Sequence, residues 1–166
     1  MKKLLIPLVA VALALGCADA PTGTDGLTPN FKVAGNSGCY IVNFTVHSTL
    51  DFGTLPELEF NGKVSGDLAG TNRAVFDLST FVITGVKTRV KATVTWDVTH
   101  ADMGPLGFVT LANGGFTVDP NDPDITVVHS TERALSGVRK ANLNDSGTIT
   151  AGGTVADLQY NGVICP

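Results

Sequence analysis

Apolar and polar residues alternate with a period of two along most of this chain, which is the pattern of β-strands that bury one face. The clearest stretch covers residues 86–98, where Trp96 and five smaller apolar residues share one face and threonines and charged residues occupy the other. The same alternation covers residues 40–47 and 58–68. Shorter apolar stretches predict further strands over residues 73–83, 106–111, 116–118, 125–131, 148–151 and 154–160. Eight or nine short strands predict an all-β domain, either a barrel or a sandwich.

Two segments allow more than one secondary structure. Asn61-Gly62 is a strong hairpin signal, but the apolar positions continue in step as far as Leu68, so we expect one uninterrupted strand. Residues 131–142 have apolar residues at helical spacing, which makes a helix an alternative there. Gly137 weakens that helix by about 1 kcal/mol relative to Ala.

The N-terminus differs from the rest of the chain. Lys2 and Lys3 form a short basic segment, and residues 4–15 are apolar, which is the arrangement of a secretory signal peptide. The apolar run is about 12 residues long, whereas a membrane-spanning helix needs about 20. We therefore expect the chain to be exported and the mature protein to lack a membrane-spanning helix.

The end of the apolar run carries a processing signal. Residues 13–17 read LALGC, with the small Gly16 directly before Cys17. This segment resembles the lipobox of bacterial lipoproteins, in which the cysteine receives the lipid, although its second and third positions reverse the usual order of Leu and a small residue. The alternative is simple secretion, because residues 18–20 have the small-x-small form of an ordinary signal-peptidase site. Pro21 directly after that cut disfavours it, so we interpret the chain as a bacterial lipoprotein.

The lipoprotein resemblance at the N-terminus, together with the composition and the strand pattern of the rest, divides the chain into three expected parts. Residues 1–16 would be removed as the signal peptide, and residues 17–38 would form a flexible tether that begins at the lipidated cysteine. Residues 39–166 would form a single all-β domain. Two or more acyl chains hold a protein firmly on a membrane, so the resemblance implies lipid anchoring in the bacterial cell envelope. Ala18 stands where an Asp would retain the protein in the inner membrane, which favours the outer membrane.

Composition and charge narrow the function classes. The chain has 166 residues, of which 43% are apolar and 16% are charged, and this fits a globular domain rather than a disordered chain. Removal of residues 1–16 would leave 9 basic residues against 15 acidic ones, a net charge of −6. An acidic domain argues against nucleic acid as a partner, because nucleic acid requires a basic surface.

The three cysteines supply one long-range constraint. If Cys17 carries lipid, Cys39 and Cys165 remain as an even pair in an oxidising compartment, which predicts a disulfide. One of them opens the first strand and the other closes the chain. Antiparallel pairing of the first strand with the last is the arrangement that closes a sheet into a barrel. We therefore favour a closed or nearly closed antiparallel barrel of about eight strands over the sandwich.

The sequence contains no recognisable catalytic or cofactor motif. There is no phosphate-binding loop, GxSxG elbow, HExxH or Cys-x-x-Cys, and we predict no cofactor. His100 and Asp102 follow the longest predicted strand, at the expected mouth of the barrel, where the carboxylate would orient the imidazole as a general base. A small barrel enzyme of the isomerase or cyclase type is therefore the alternative to a binding or structural module without catalysis.

Two acidic segments resemble calcium loops in composition. Asp119, Asp122 and Asp124 lie within six residues, and hard oxygen ligands packed in this way suit calcium. Their spacing does not match the EF-hand series, so a strand connector is the favoured interpretation and no metal is predicted. Residues 142–147 begin like an EF-hand loop, but position twelve is Gly153 instead of the closing Glu, which leaves a turn as the interpretation.

Inward-facing residues predict what fills the barrel. Eight strands leave an interior that side chains pack completely or that holds one small ligand. Phe44, Phe60 and Trp96 are large, whereas glycines on the same faces leave space beside them. We predict a small, mostly apolar pocket near Trp96 that opens toward His100 and Asp102. Its occupant would be a small apolar ligand, and an envelope protein is the other candidate partner.

Overall fold

Eight antiparallel strands dominate the part of the chain that the computed structural model describes, namely residues 38–51, 58–84, 87–119, 121–122 and 124–166. They follow one another around a closed barrel in chain order, and the last strand pairs with the first. The strands are β1 (Tyr40–Asp51), β2 (Leu58–Gly66), β3 (Leu68–Thr84), β4 (Lys87–His100), β5 (Gly104–Val118), β6 (Thr126–Ser136), β7 (Lys140–Thr150) and β8 (Val155–Cys165). The predicted antiparallel barrel is confirmed, and the sandwich alternative does not apply. No helix among the described residues has the length and apolar character needed to cross a membrane.

β1 and β8 close the barrel. Their antiparallel pairing runs along almost the full length of both strands. The disulfide between Cys39 and Cys165 joins the same two strands, with the Cα atoms 4.1 Å apart, so the predicted disulfide is confirmed. We call this end of the barrel the disulfide end, and the opposite end, where β1 stops at Asp51, the distal end.

Two strands have boundaries that differ from those predicted. β2 continues through Gly62, as expected, but it ends at Gly66, and Leu68 already belongs to β3. The separate strands expected over residues 106–111 and 116–118 form the single strand β5, because the residues between them pair with both β4 and β6.

The segment 131–142 is not a helix. Its first part belongs to β6 and its last part to β7, because both strands find backbone partners across the sheet. Gly137 lies between them with a φ of 86°, a left-handed conformation that favours glycine. The expected turn at residues 142–147 is also wrong: these residues belong to β7, and Leu143 and Asp145 face the interior.

The barrel interior holds two apolar clusters, one toward each end. The larger cluster lies toward the disulfide end, where Phe44 stacks on Tyr160 with ring centroids 4.9 Å apart and Trp96 meets both rings edge-on. The smaller cluster, toward the distal end, consists of Phe60, Val128, Ile149 and Ala156. Full burial of one large apolar side chain contributes about 1.5–3 kcal/mol, so both clusters stabilise the closed sheet.

Candidate functional site

A layer of polar side chains lies between the two apolar clusters. Its buried members, each less than a tenth exposed, are Ser48, Asn72, Thr110, Glu132 and Asp145. They occupy inward positions on their strands, where alternation directs every second side chain into the barrel. Burial of a polar group costs free energy unless the group is hydrogen-bonded, so the partners of these side chains define what the layer can do.

Glu132 is the centre of a hydrogen-bonded chain of side chains. The indole Nε1–H of Trp96 donates to Thr110 Oγ1 at 3.0 Å. The Thr110 hydroxyl donates in turn to Glu132 Oε2. The Tyr160 hydroxyl donates to the other oxygen, Glu132 Oε1, at 3.1 Å. Both carboxyl oxygens of Glu132 are therefore satisfied by groups from other strands.

Asp145 is only half satisfied. The Ser130 hydroxyl donates to its Oδ2 atom. Its Oδ1 atom is buried and has no hydrogen-bond partner among the described residues. The residue as a whole is 6% exposed, so bulk solvent does not supply a partner in place of the protein. A buried acceptor without a donor costs about 1–3 kcal/mol, so this oxygen marks a place where a donor from outside the chain would be stabilising.

The surroundings of the two acids favour their protonated forms. The pKa of Glu132 is raised from 4.5 to about 7, mainly by burial and also by the neighbouring carboxyl group of Asp145, against opposing hydrogen bonds from Thr110 and Tyr160. Burial also raises the pKa of Asp145, against the opposing effects of the hydrogen bond from Ser130 and of the nearby Tyr160 hydroxyl. The pKa of Tyr160 lies well above its ordinary value, first because of burial and then because of the two acids, so its hydroxyl remains a donor. Within the described ranges no Lys or Arg is buried beside them.

A cavity of about 50 Å³ lies in the distal half of the barrel, directly against this polar layer. Glu132, Asp145 and Tyr160 line one side of it. The other polar groups on its wall include Ser48 and Asn72, whose side chains lie 3.5 Å apart. Most of the wall is apolar, formed by Phe60, Ala74, Phe76, Val90, Ala92, Val94, Ala112, Phe116, Val128, Ile149, Ala156 and Leu158. We call this space the distal cavity.

The distal cavity does not coincide with the pocket that the sequence predicts near Trp96. Of the aromatic residues proposed for it, only Phe60 lines the distal cavity. Phe44 and Trp96 pack within the larger cluster and are 2% and 1% exposed. Their contacts with Tyr160 fill the half of the interior that adjoins His100, which is why the space lies in the other half.

The structure does not join His100 to the carboxylate of Asp102. His100 is buried at the disulfide end, where its ring lies 5.3 Å from that of Tyr40. Its Nδ1 atom accepts hydrogen bonds from the backbone N–H groups of Asp102 at 3.1 Å and Met103 at 3.4 Å. The side chain of Asp102 is exposed. The imidazole is therefore oriented by a turn of the backbone and not by a carboxylate.

Two aspartates of the candidate calcium loop accept hydrogen bonds from the loop's own backbone. Asp119 Oδ1 accepts from the N–H of Asn121 at 2.8 Å, and Asp122 Oδ1 accepts from the N–H of Asp124 at 3.1 Å. In the described part of the chain no three His, Cys, Asp or Glu side chains are grouped so as to hold a metal ion. Asp119, Asp122 and Asp124 therefore have the contacts of a strand connector.

Glu132 and Asp145 are the site residues that sequence reasoning missed. Glu132 lies just beyond the strand expected over residues 125–131, and Asp145 lies within a segment of turn-like composition. The available signal was parity, since Val128, Ser130 and Glu132 share one face of β6. Extension of that alternation by one position would have placed the carboxyl group inside the barrel.

Comparison of the chain with protein-family models, with curated proteins and with solved structures finds no significant match. The cavity and the side chains that line it are therefore the features from which a function can be inferred.

Proposed function

We propose that this protein is a lipoprotein of the bacterial cell envelope, anchored through Cys17, whose barrel binds a small, mostly apolar ligand in the distal cavity. The N-terminal segment that resembles a lipobox supports the anchor. The cavity supports the binding role, because ligand sites are mostly apolar concave spaces with a few polar groups that fix orientation. Residues 17–38 would separate the barrel from the membrane surface.

The observation that carries the binding role is Asp145, which lines the cavity and whose Oδ1 atom is buried without a hydrogen-bond partner among the described residues. An interior that served only to support the fold would be expected to satisfy or exclude such a group. A ligand that fills the apolar space and donates one hydrogen bond would satisfy it.

Ligand binding is tested by filling the cavity from one of its walls. Ala112 is buried on β5 and lines the cavity, so Ala112→Leu would occupy the space. Ala69 is exposed on β3, so Ala69→Leu adds the same atoms outside the barrel. We expect wild type and Ala69→Leu to bind members of a panel of small apolar molecules, as reported by fluorescence of Trp96, the single tryptophan, and we expect Ala112→Leu to lose that binding. Absence of binding by wild type, or equal binding by all three, would contradict the proposal.

The anchor is tested separately by replacing Cys17. In wild-type cells the mature protein is expected in the membrane fraction, with a mass that includes acyl chains on residue 17. Cys17→Ala is expected to abolish lipidation and membrane association of processed protein. A mature wild-type chain that begins after Ala20 and carries no lipid would show simple secretion instead.

One observation favours a second function, proton transfer on the bound molecule. A general acid or base works best with a pKa near the operating pH, and burial raises the pKa of Glu132 to about 7. The isomerase or cyclase alternative therefore belongs to Glu132 rather than to His100 and Asp102. Incubation of a bound ligand in deuterated water tests it: wild type should exchange carbon-bound hydrogen faster than Glu132→Gln. Equal exchange by the two proteins would remove the enzymatic alternative.

A further inference from the structure

The polar layer contains two carboxyl groups and no Lys or Arg among the described residues. His129, which is exposed on β6, acts electrostatically on Asp145 but is not buried with it. Glu132 is 3% exposed and Asp145 is 6% exposed. Nothing basic among the described residues is buried with them, because the buried polar and charged side chains are otherwise Ser48, Asn72, His100 and Thr110, and His100 lies toward the disulfide end. Burial favours the protonated forms of both acids, and a positive charge placed beside a buried carboxyl group favours its ionised form. A cation supplied from outside the chain would therefore form a buried ion pair with the carboxylate of Asp145.

The geometry of Asp145 gives such a cation a defined position. Both oxygens of Glu132 already accept hydrogen bonds, from Thr110 and from Tyr160. Asp145 Oδ1 accepts none among the described residues, and Asp145 lies on the cavity wall. A donor that enters the distal cavity therefore meets one free acceptor with a second carboxyl group nearby. Hydrogen bonds between charged groups are about twice as strong as neutral ones, which favours a charged donor.

The walls of the distal cavity suit the rest of such a ligand. Phe60 and Phe76 lie edge to face with ring centroids 5.6 Å apart, and Phe116 lies 5.9 Å from Phe76. All three rings line the cavity. Aromatic faces attract cations by about 0.5–2 kcal/mol and also bury apolar chains. An alkyl or aryl group attached to a cationic nitrogen is thus favoured over a bare metal ion.

We propose that the ligand of the distal cavity is a small organic ammonium ion, with its N–H groups directed at Asp145 Oδ1 and its apolar part against the rings of Phe60 and Phe76. The proposal rests on the ligand-binding role proposed above for the same cavity. One water molecule needs about 10–15 Å³ of such space, so a cavity of about 50 Å³ accommodates an amine with a short chain.

The test compares three probes of matched shape and different charge: n-butylammonium, n-butanol and butyrate. The readout is the indole N–H resonance of Trp96 in the mature protein, since this single tryptophan is linked to Glu132 through the Thr110 hydroxyl. We expect butylammonium to bind at least about tenfold more tightly than butanol, with butyrate weakest, because only the cation pairs with the acids.

Matched variants locate the interaction. Asp145→Asn removes the charge inside the barrel, and Asp97→Asn removes one from an exposed position on β4. Asp145→Asn should lower the affinity for butylammonium by about tenfold or more and leave butanol binding almost unchanged, whereas Asp97→Asn should change neither. If Asp145→Asn does not fold, Asp145→Ser replaces it with the same expected direction, because it also removes the carboxyl group that would pair with the cation.

The possible failures are distinguishable. Butanol binding as tightly as butylammonium, with loss of both in Ala112→Leu, would overturn the ammonium proposal and leave the ligand-binding role intact. Butylammonium binding that is equal in Asp145→Asn and Asp97→Asn would show that the cation does not pair with Asp145 and would also overturn the ammonium proposal. No binding of any apolar or ammonium probe would overturn both proposals.

Discussion

Replacement of Glu132 by Gln is expected to change how the stability of the barrel depends on pH. In the folded protein, burial raises the pKa of Glu132 from 4.5 to about 7. Between these two values the unfolded chain has lost the proton and the folded chain still holds it. The free energy of unfolding must therefore fall as pH rises through this window, because stability decreases wherever the folded state binds more protons.

The magnitude follows from the size of the shift. Each pKa unit corresponds to about 1.4 kcal/mol, so the side chain of Glu132 should cost the folded state about 3 kcal/mol by the upper end of the window. The glutamine amide of the variant does not titrate, and its oxygen can still accept from Thr110 or Tyr160. Glu132→Gln should lose up to about 1 kcal/mol at acidic pH through an imperfect hydrogen bond. It should be more stable than wild type by about 2 kcal/mol at mildly alkaline pH.

The assay is urea unfolding at a series of pH values, followed by the fluorescence of Trp96. Glu59→Gln is a suitable control because Glu59 is on β2, outside the polar layer, and hydrogen bonds from Arg73 and Asn61 lower its pKa. The control should show the same fall in stability with pH as wild type. Parallel pH profiles for wild type and Glu132→Gln would refute the conclusion that Glu132 is held protonated in the barrel.

Two further predictions concern the fold. The disulfide joins two residues with a sequence separation of 126. Replacing Cys39 and Cys165 with Ala should therefore lower the free energy of unfolding by about 4–5 kcal/mol. A loss below about 1 kcal/mol would contradict the chain-entropy account. Gly162→Ala should destabilise the barrel by about 1–3 kcal/mol, because the new Cβ would lie 2.9 Å from the Cα of Leu143. Gly107→Ala, with no atom within 4 Å of the added carbon, should stay within about 0.5 kcal/mol of wild type, and equal urea midpoints for the two variants would refute the argument.

Alternation made the barrel predictable from sequence because a strand with one buried face must repeat apolar residues every second position. In β4, every second residue from Val90 to His100 is buried. The cysteine pair then favoured a closed barrel over a sandwich, since a bond between the first and last strands brings both sheet edges together. These signals are local or depend on only two residues, so no knowledge of the packed interior was needed.

The polar layer was not predictable in the same way. Residues 142–147 have the Asn, Asp, Ser and Gly content of a turn, and β7 forms there because β6 and β8 supply backbone partners on both sides. The position of the cavity depends on Phe44 stacking against Tyr160 across the β1–β8 pair, which is a contact between distant parts of the chain. The alternation of side chains along a strand indicates which face a side chain occupies. It does not indicate which end of the barrel is filled by the neighbouring side chains.

The central claim is that the distal cavity holds a small ligand against Glu132 and Asp145. Native mass spectrometry of the mature protein, extracted from its own envelope, tests this claim most directly. We predict a population of wild type that is heavier than the lipidated chain by one small molecule, and we predict that this extra mass is absent from Ala112→Leu. The same mass excess in both proteins, or none in wild type, would contradict the account.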